Sequence, residues 1–191
     1  MVPRPAWLHI DAPEIFRRMM RAARTPHPCM LEAIGRLRAL GYKVAALTNN
    51  FQVPEDDQTL DKVGGAASTV LPSLFDVFVE SSVVGMRKPD PRVFQLTLER
   101  LGLPASQVAF LDDLGVYGWQ PPRWPRGWSV MLTRAFASMN ATGRRNVKAA
   151  RQLGMHTIRV ELNKSKEALW ALERLLGVEL IQERPPAPAR L

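Results

Sequence analysis

The sequence predicts an α/β fold, a parallel sheet covered by helices on both faces, and three observations carry that expectation. Two short runs, Lys43–Thr48 and Val108–Leu111, are almost wholly apolar and too short for helices, the pattern of strands buried on both sides. Amphipathic helical stretches alternate with such runs along the chain, as strand–helix–strand units require. Both runs then stop abruptly on polar residues, Thr48-Asn49-Asn50 and Asp112-Asp113. Open α/β sheets place their ligands outside the carboxyl ends of the strands, so these tips are the candidate site.

Taken in order, the chain opens irregularly, punctuated by Pro3 and Pro5. Asp11 and Glu14 have capping-box spacing and lead a short helix to about Arg24, which Pro26 and Pro28 break. A second helix runs from Met30 to Leu40, with Leu31, Ile34, Leu37 and Leu40 on one stripe and Gly41 as its stop. The strand Lys43–Thr48 follows. Residues 51–65 are acidic and then glycine-rich, with Asp56, Asp57 and Asp61, and read as a loop. Asp76–Glu80 is a third strand, leading through Ser81-Ser82 to a basic loop at Gly85–Lys88. Asp90 stands at an N-cap position, Pro91 at the first helical position and Gly102 just past the end, so local chemistry marks both ends of a helix from about Pro91 to Leu101. Val93, Phe94, Leu98 and Leu101 share its covering face. Beyond Val108–Leu111, a helix is expected over Asn146–Leu153 with Gly154 as its stop, then a strand over His156–Val160. Ala168, Leu169, Leu172 and Leu175 mark a final amphipathic helix before Gly177.

Composition bounds the function classes. A chain of 191 residues is one domain by the usual prior, and 46% apolar with 23% charged residues is the balance of a globular protein. No run approaches the roughly 18 consecutive apolar residues of a membrane helix, and the N-terminus has no secretory apolar region, so no membrane partner is expected. The single cysteine, Cys29, excludes an internal disulfide framework and fits a reducing, cytoplasmic compartment. With only His9, His27 and His156 and no paired cysteines, no zinc spacing is available. The net charge of +8 is concentrated in residues 1–26, which carry +3, and residues 116–145, which carry +5. That excess lies outside the strand tips and has no interleaved aromatic motif, so nucleic acid is not expected as a partner. The oligomeric state is left open.

The strand tips carry the chemistry. Asp112 and Asp113 repel each other unless a cation neutralises them, and hard oxygen ligands of this kind suit magnesium. Lys88, a compact charge in a loop, is placed to neutralise a phosphoryl group in the same crevice. Taken singly, the aspartates read as a solvated turn and the lysine as a surface residue; Thr48-Asn49-Asn50 is likewise ordinary turn chemistry. It is the combination at the head of a buried strand that favours a site.

The ordered set Thr48-Asn49-Asn50, Gly85-Met86-Arg87-Lys88-Pro89, Phe110-Leu111-Asp112-Asp113-Leu114-Gly115 and Ala149-Ala150-Arg151-Gln152-Leu153-Gly154-Met155 resembles the haloacid dehalogenase-like (HAD) hydrolases. It is most similar to the phosphatase-like N-terminal domains of soluble epoxide hydrolases and acyl-CoA dehydrogenase-related proteins. The resemblance spans roughly Ala12 to Gly177 apart from one interruption. It implies a three-layer, Rossmann-like core and magnesium-dependent hydrolysis of a small phosphate ester through an aspartyl-phosphate. In that reading Thr48 and Lys88 are catalytic, Thr48, Asn49 and Lys88 bind the phosphoryl group, and Asp113, supported by Asp112, binds magnesium.

Two departures shape the expectation. The strand ending in Asp-x-Asp that supplies the family's nucleophile is absent, and the only aspartate before Thr48 is Asp11, better read as a helix cap. Residues 1–26 are therefore read as a remnant of the helical cap, residues 27–181 as the core and residues 182–191 as a disordered tail. The missing strand is central in the family's sheet order, which leaves the tips of the strands at Thr48 and Asp112 separated by about 10 Å unless the strands pair differently. The second departure is residues 116–144, with three tryptophans, three prolines, four arginines and no acid. This insert shows no clear periodicity and is open to three readings, a substrate-facing loop, a partner-binding loop or retained non-coding sequence; a structureless insert of this length at the rim of a site is unusual in a compact domain, which favours the last. The chain as written is expected to be inactive, the alternatives being a non-catalytic phosphate-binding or interaction module and a truncated gene product. The terminal Ala189-Arg190-Leu191 resembles a peroxisomal tripeptide address, an alternative to the cytoplasm.

Overall fold

The computed structural model describes residues 11, 14, 15, 18, 27–50, 72–112, 129–132, 142–161 and 163–184. Most of the expected cap remnant, the 51–65 loop, Asp113 and the terminal Ala189-Arg190-Leu191 lie outside the described residues. At the N-terminus, Asp11 Oδ1 accepts the Glu14 N–H at 3.0 Å, the bond that its capping-box spacing predicts.

Helix α1 (Pro28–Ala39) starts two residues earlier than its apolar stripe predicts, because Pro28 is preorganised for a first turn. It buries Ala33, Ile34 and Leu37 beside β1 (Lys43–Thr48), which is buried from Val44 onward. Strand β2 is shorter than expected, Val77–Glu80. Asp76 instead closes the β1–β2 edge, its N–H donating to the Val44 carbonyl and its Oδ2 accepting the Val44 N–H, both at 2.8 Å. A single-turn helix α2 (Ser81–Val84) ends on Gly85 at φ +68°, a left-handed conformation that only glycine adopts without strain. Helix α3 (Pro91–Leu101) has the predicted ends: Asp90 Oδ1 accepts the Arg92 N–H at 2.9 Å, and Gly102 is left-handed. Lys43 Nζ donates to the Leu101 carbonyl at 2.8 Å, a cation on the negative end of the helix dipole. Then come β3 (Val108–Asp112), β4 (Ser129–Leu132), α4 (Thr142–Gln152), β5 (His156–Arg159) and α5 (Ser165–Leu176).

The sheet has the order β2-β1-β4-β3-β5, and every pairing is parallel. Alternation along the strands divides the core into two. Val44, Ala109 and Leu111 face α1 and α5, where they meet Leu37, Leu169 and Leu172. Ala45, Leu47, Val108 and Phe110 face α3 and α4, where Phe94 stacks edge-on against Phe110 with ring centroids 5.3 Å apart. Three layers result, as the sequence predicts. Among the described residues no helix is long and apolar enough to cross a membrane.

The centre of the sheet corrects the sequence reading. Residues 116–144 were expected to lie outside the core, leaving a gap between β1 and β3. Instead Ser129–Leu132, from the middle of that stretch, fills the gap. It pairs with Lys43–Ala46 on one side and Val108–Leu111 on the other, in register with both. Residues 142–144 likewise open α4. Four residues of which one is polar, set among prolines and tryptophans, carry too little periodicity to be read as a strand; pairing on both edges is what makes them one.

The core closes at its C-terminal boundary as expected, and the first residues beyond it are held as well. Leu180 and Ile181 are buried, with both N–H groups donating to Glu173 Oε1 at 2.6 and 3.0 Å. Gln182 N–H donates to Glu32 Oε1 at 3.0 Å and the Glu183 carbonyl accepts from Trp170 Nε1 at 2.9 Å, so the first residues of the expected 182–191 tail are anchored to α1 and α5.

Because β4 bridges the two halves of the sheet, removal of residues 116–141 lowers the melting temperature rather than raising it. A single proline tests the same point: Val130→Pro removes a ladder hydrogen bond from a central strand and leaves its acceptor unpaired, at a cost of about 1–3 kcal/mol. In a domain of this size that is a fall of about 2–12 °C, read by thermal denaturation followed by circular dichroism. Unchanged melting of both variants would show that β4 contributes nothing to the core.

Candidate active site

Lys88 organises the carboxyl end of the sheet. Its side chain is 1% exposed, and its Nζ lies 3.7 Å from Oδ2 of Asp112, itself 0% exposed at the tip of β3. Taking an ammonium out of water costs several kcal/mol, and the carboxylate offsets that cost only if the geometry is held. Two local devices hold it. Asn49, one residue past β1, donates from Nδ2 to the Lys88 carbonyl at 3.0 Å and accepts the Lys88 N–H on Oδ1 at 2.8 Å, so its amide stands in for a neighbouring strand. Two residues on, the Asp90 cap starts α3.

Asp112 is held in turn by Asn146, whose Nδ2 donates to the same Oδ2 at 2.9 Å from the buried face of α4. Asn146 Oδ1 is buried and has no hydrogen-bond partner among the described residues. The sequence reading took Asn146 only as a helix start; its position one turn before the buried Ala149 and Ala150 was the available signal. Asn50, read as turn chemistry, joins the tips of β1 and β2 through Glu80, Ser81 and Ser82.

The predicted residues are not all brought together. Lys88, Asp112 and Asn49 form one cluster, in which both polar groups of Asn49 are engaged by Lys88. Thr48 is buried at the tip of β1, but it alternates with Leu47 and so lies on the α1–α5 side, whereas Asp112, alternating with Leu111, lies on the α3–α4 side. Strand β4 separates the two tips. Asp113 lies outside the described residues.

Magnesium can be tested against Asp112. Its Oδ2 is already shared by an ammonium and an amide, and among the described residues no three His, Cys, Asp or Glu side chains come together to hold a metal. The described residues therefore do not by themselves form a magnesium site. Nor does a thiol replace the absent nucleophile: Cys29 Sγ lies 3.0 Å from His27 Nδ1, but burial pushes its pKa up, the reverse of activation.

A family model, haloacid dehalogenase-like hydrolase, matches residues 6–115, more than half of the chain. The chain belongs to the haloacid dehalogenase-like hydrolases. It is 37% identical over 155 residues to acyl-CoA dehydrogenase family member 10 of Mus musculus, covering 80% of this chain and 11% of that protein. It is 30% identical over 175 residues to bifunctional epoxide hydrolase 2 of Rattus norvegicus, covering 92% of this chain and 25% of the relative. The HAD-like chain thus spans a quarter or less of the length of these two relatives. A phosphatase of Mycobacterium tuberculosis is 32% identical over 101 residues, covering 53% of this chain and 44% of its own. The crystal structure of a dehalogenase aligns with a TM-score of 0.51 at 22% identity, over 85% of this chain and 64% of that one, a likeness of fold.

The buried pair makes a thermodynamic prediction for this HAD-like chain. Lys88→Met and Asp112→Asn each strand an uncompensated partner and cost about 3 kcal/mol or more in urea unfolding. The double variant costs less than their sum by about 1 kcal/mol or more, because neither partner is then left alone. Strict additivity would show that the two groups are not coupled.

Proposed function

We propose that the HAD-like chain binds the phosphoryl group of a small phosphate monoester at the carboxyl ends of β1 and β3, the site from which a magnesium-dependent phosphatase of this family would work. The observation that carries the reading is the buried Lys88 held against Asp112. A preorganised ammonium in a water-excluded place is the chemistry that neutralises phosphoryl oxygens. Asn49 keeps the lysine loop in place, and Thr48, across the width of β4 from Asp112, is the hydroxyl that the resemblance assigns to the phosphoryl group. The phosphatase among the relatives supports the same substrate class.

Hydrolysis through an aspartyl-phosphate requires a carboxylate nucleophile, and no Asp-x-Asp occurs among the 191 residues. The stretch that supplies β4 cannot provide one either, since it contains no acidic residue from Leu114 to Val160. That favours, as the second reading, a module that binds phosphate without turning it over. The resemblance assigns magnesium to Asp113 and Asp112, and Asp112 Oδ2 is engaged by Lys88 and Asn146.

The test is a titration of the purified chain with inorganic phosphate, followed by heteronuclear NMR. Binding is expected, and Lys88→Met weakens it at least about tenfold, as loss of a hydrogen bond to a charged group of about 1.5–3 kcal/mol implies. Turnover of an aryl phosphate with magnesium present is expected at background, because loss of a covalent nucleophile costs on the order of a million-fold. Turnover that disappears in Lys88→Met and in Asp113→Asn would establish a working phosphatase and displace the binding-only reading. No binding of phosphate by the intact chain would remove both.

A further inference from the structure

The β1–β2 ladder ends at Thr48 opposite Glu80, and just beyond it Asn50 ties the two segments together. Its backbone N–H donates to Ser81 Oγ at 2.9 Å, and the same hydroxyl donates to the Asn50 carbonyl at 3.0 Å. The Asn50 side chain does more. Oδ1 accepts the Ser82 N–H at 3.1 Å and the Ser82 Oγ–H at 2.8 Å, while Nδ2 donates to Glu80 Oε1 at 2.6 Å. Only one orientation of the amide satisfies these partners, since a half-turn would set oxygen against the carboxylate and NH₂ against the Ser82 N–H. Glu80 therefore selects the orientation. The neighbouring Asn49 carries the amide that clamps Lys88, so the hydrogen bond from Asn50 to Glu80 is coupled through the Asn49–Asn50 peptide unit to the two bonds that hold the Lys88 backbone.

We propose that Asn50 is a positioning residue for Lys88, acting through Asn49, with the Glu80 carboxylate as the partner that fixes its orientation. Neither residue need touch a ligand; they keep the tip of β1 and the lysine loop in one relative placement. The inference depends on the phosphoryl-binding reading only for its meaning in function, and its structural content is measured separately.

The test is Asn50→Asp, which keeps the acceptor facing Ser82 but replaces the donor to Glu80 with a second carboxylate oxygen. Two carboxylates at that separation repel unless they share a proton. At pH 8 the Lys88 amide, which donates to Asn49, should lose hydrogen-exchange protection by about tenfold or more relative to the unaltered chain, while the amides in the middle of α3 keep theirs. Near pH 5, where the pair can hold a proton, the difference narrows. Asn50→Asp combined with Glu80→Gln restores a donor opposite the new carboxylate, and protection at pH 8 returns. Equal Lys88 protection in Asn50→Asp and the unaltered chain overturns the proposal, as does loss that Glu80→Gln does not rescue or that extends equally through α3. Inorganic phosphate affinity measured on the same samples separates the two ideas. An unaltered chain that ignores phosphate defeats the functional reading, while the exchange data alone decide the role of Asn50.

Discussion

Strands β1 and β3 are not neighbours; each pairs with β4, and within the sheet Ser129–Leu132 joins the two halves. That constraint sets the site. Two strand spacings hold the tips of β1 and β3 about 10 Å apart, the width of a crevice rather than a contact. One side carries Thr48 and Asn49, the other carries Asp112 with Asn146, and Lys88, its backbone held by Asn49, reaches across to Asp112.

Within that frame the lysine is held by structure rather than by charge alone. An ion pair at 3.7 Å is too long for a hydrogen bond, so the pairing by itself fixes the ammonium only loosely. What fixes it is the backbone: Asn49 on one side of Lys88 and the capped start of α3 on the other. A buried charge is costly, and sites that use one keep the cost from being relieved by movement. The same logic explains why Asp112 has an amide partner of its own from α4.

Much of this was legible in the residues. The ends of α3 could be read because Asp90, Pro91 and Gly102 each act on the backbone beside them, without help from the rest of the fold. Strand β1 could be read because a sheet buried on both faces leaves no polar position to break its run. Lys88 and Asp112 were identified as one site from their places relative to strand ends, and the structure puts them together. Strand β4 could not be read in this way, since its only qualification is that two unsatisfied edges lie on either side of it, a fact about β1 and β3 and not about Ser129–Leu132. Asn146 and Asn50 escaped for a related reason. An asparagine has the same local signature in a turn, at a helix start or in a buried network, and only its distant partners tell these apart.

The place of β4 in the chain also orders events during synthesis. Translation delivers β1, β2, α3 and β3 before it delivers the strand that joins them. Until residue 132 has left the ribosome, β1 and β3 each present an open, apolar edge, and the stretch that will cover them is still to come. Open edges of that kind recruit other strands, from the same chain or from neighbouring ones. Until that strand arrives, the facing edges of β1 and β3 are the places where mispairing competes with folding.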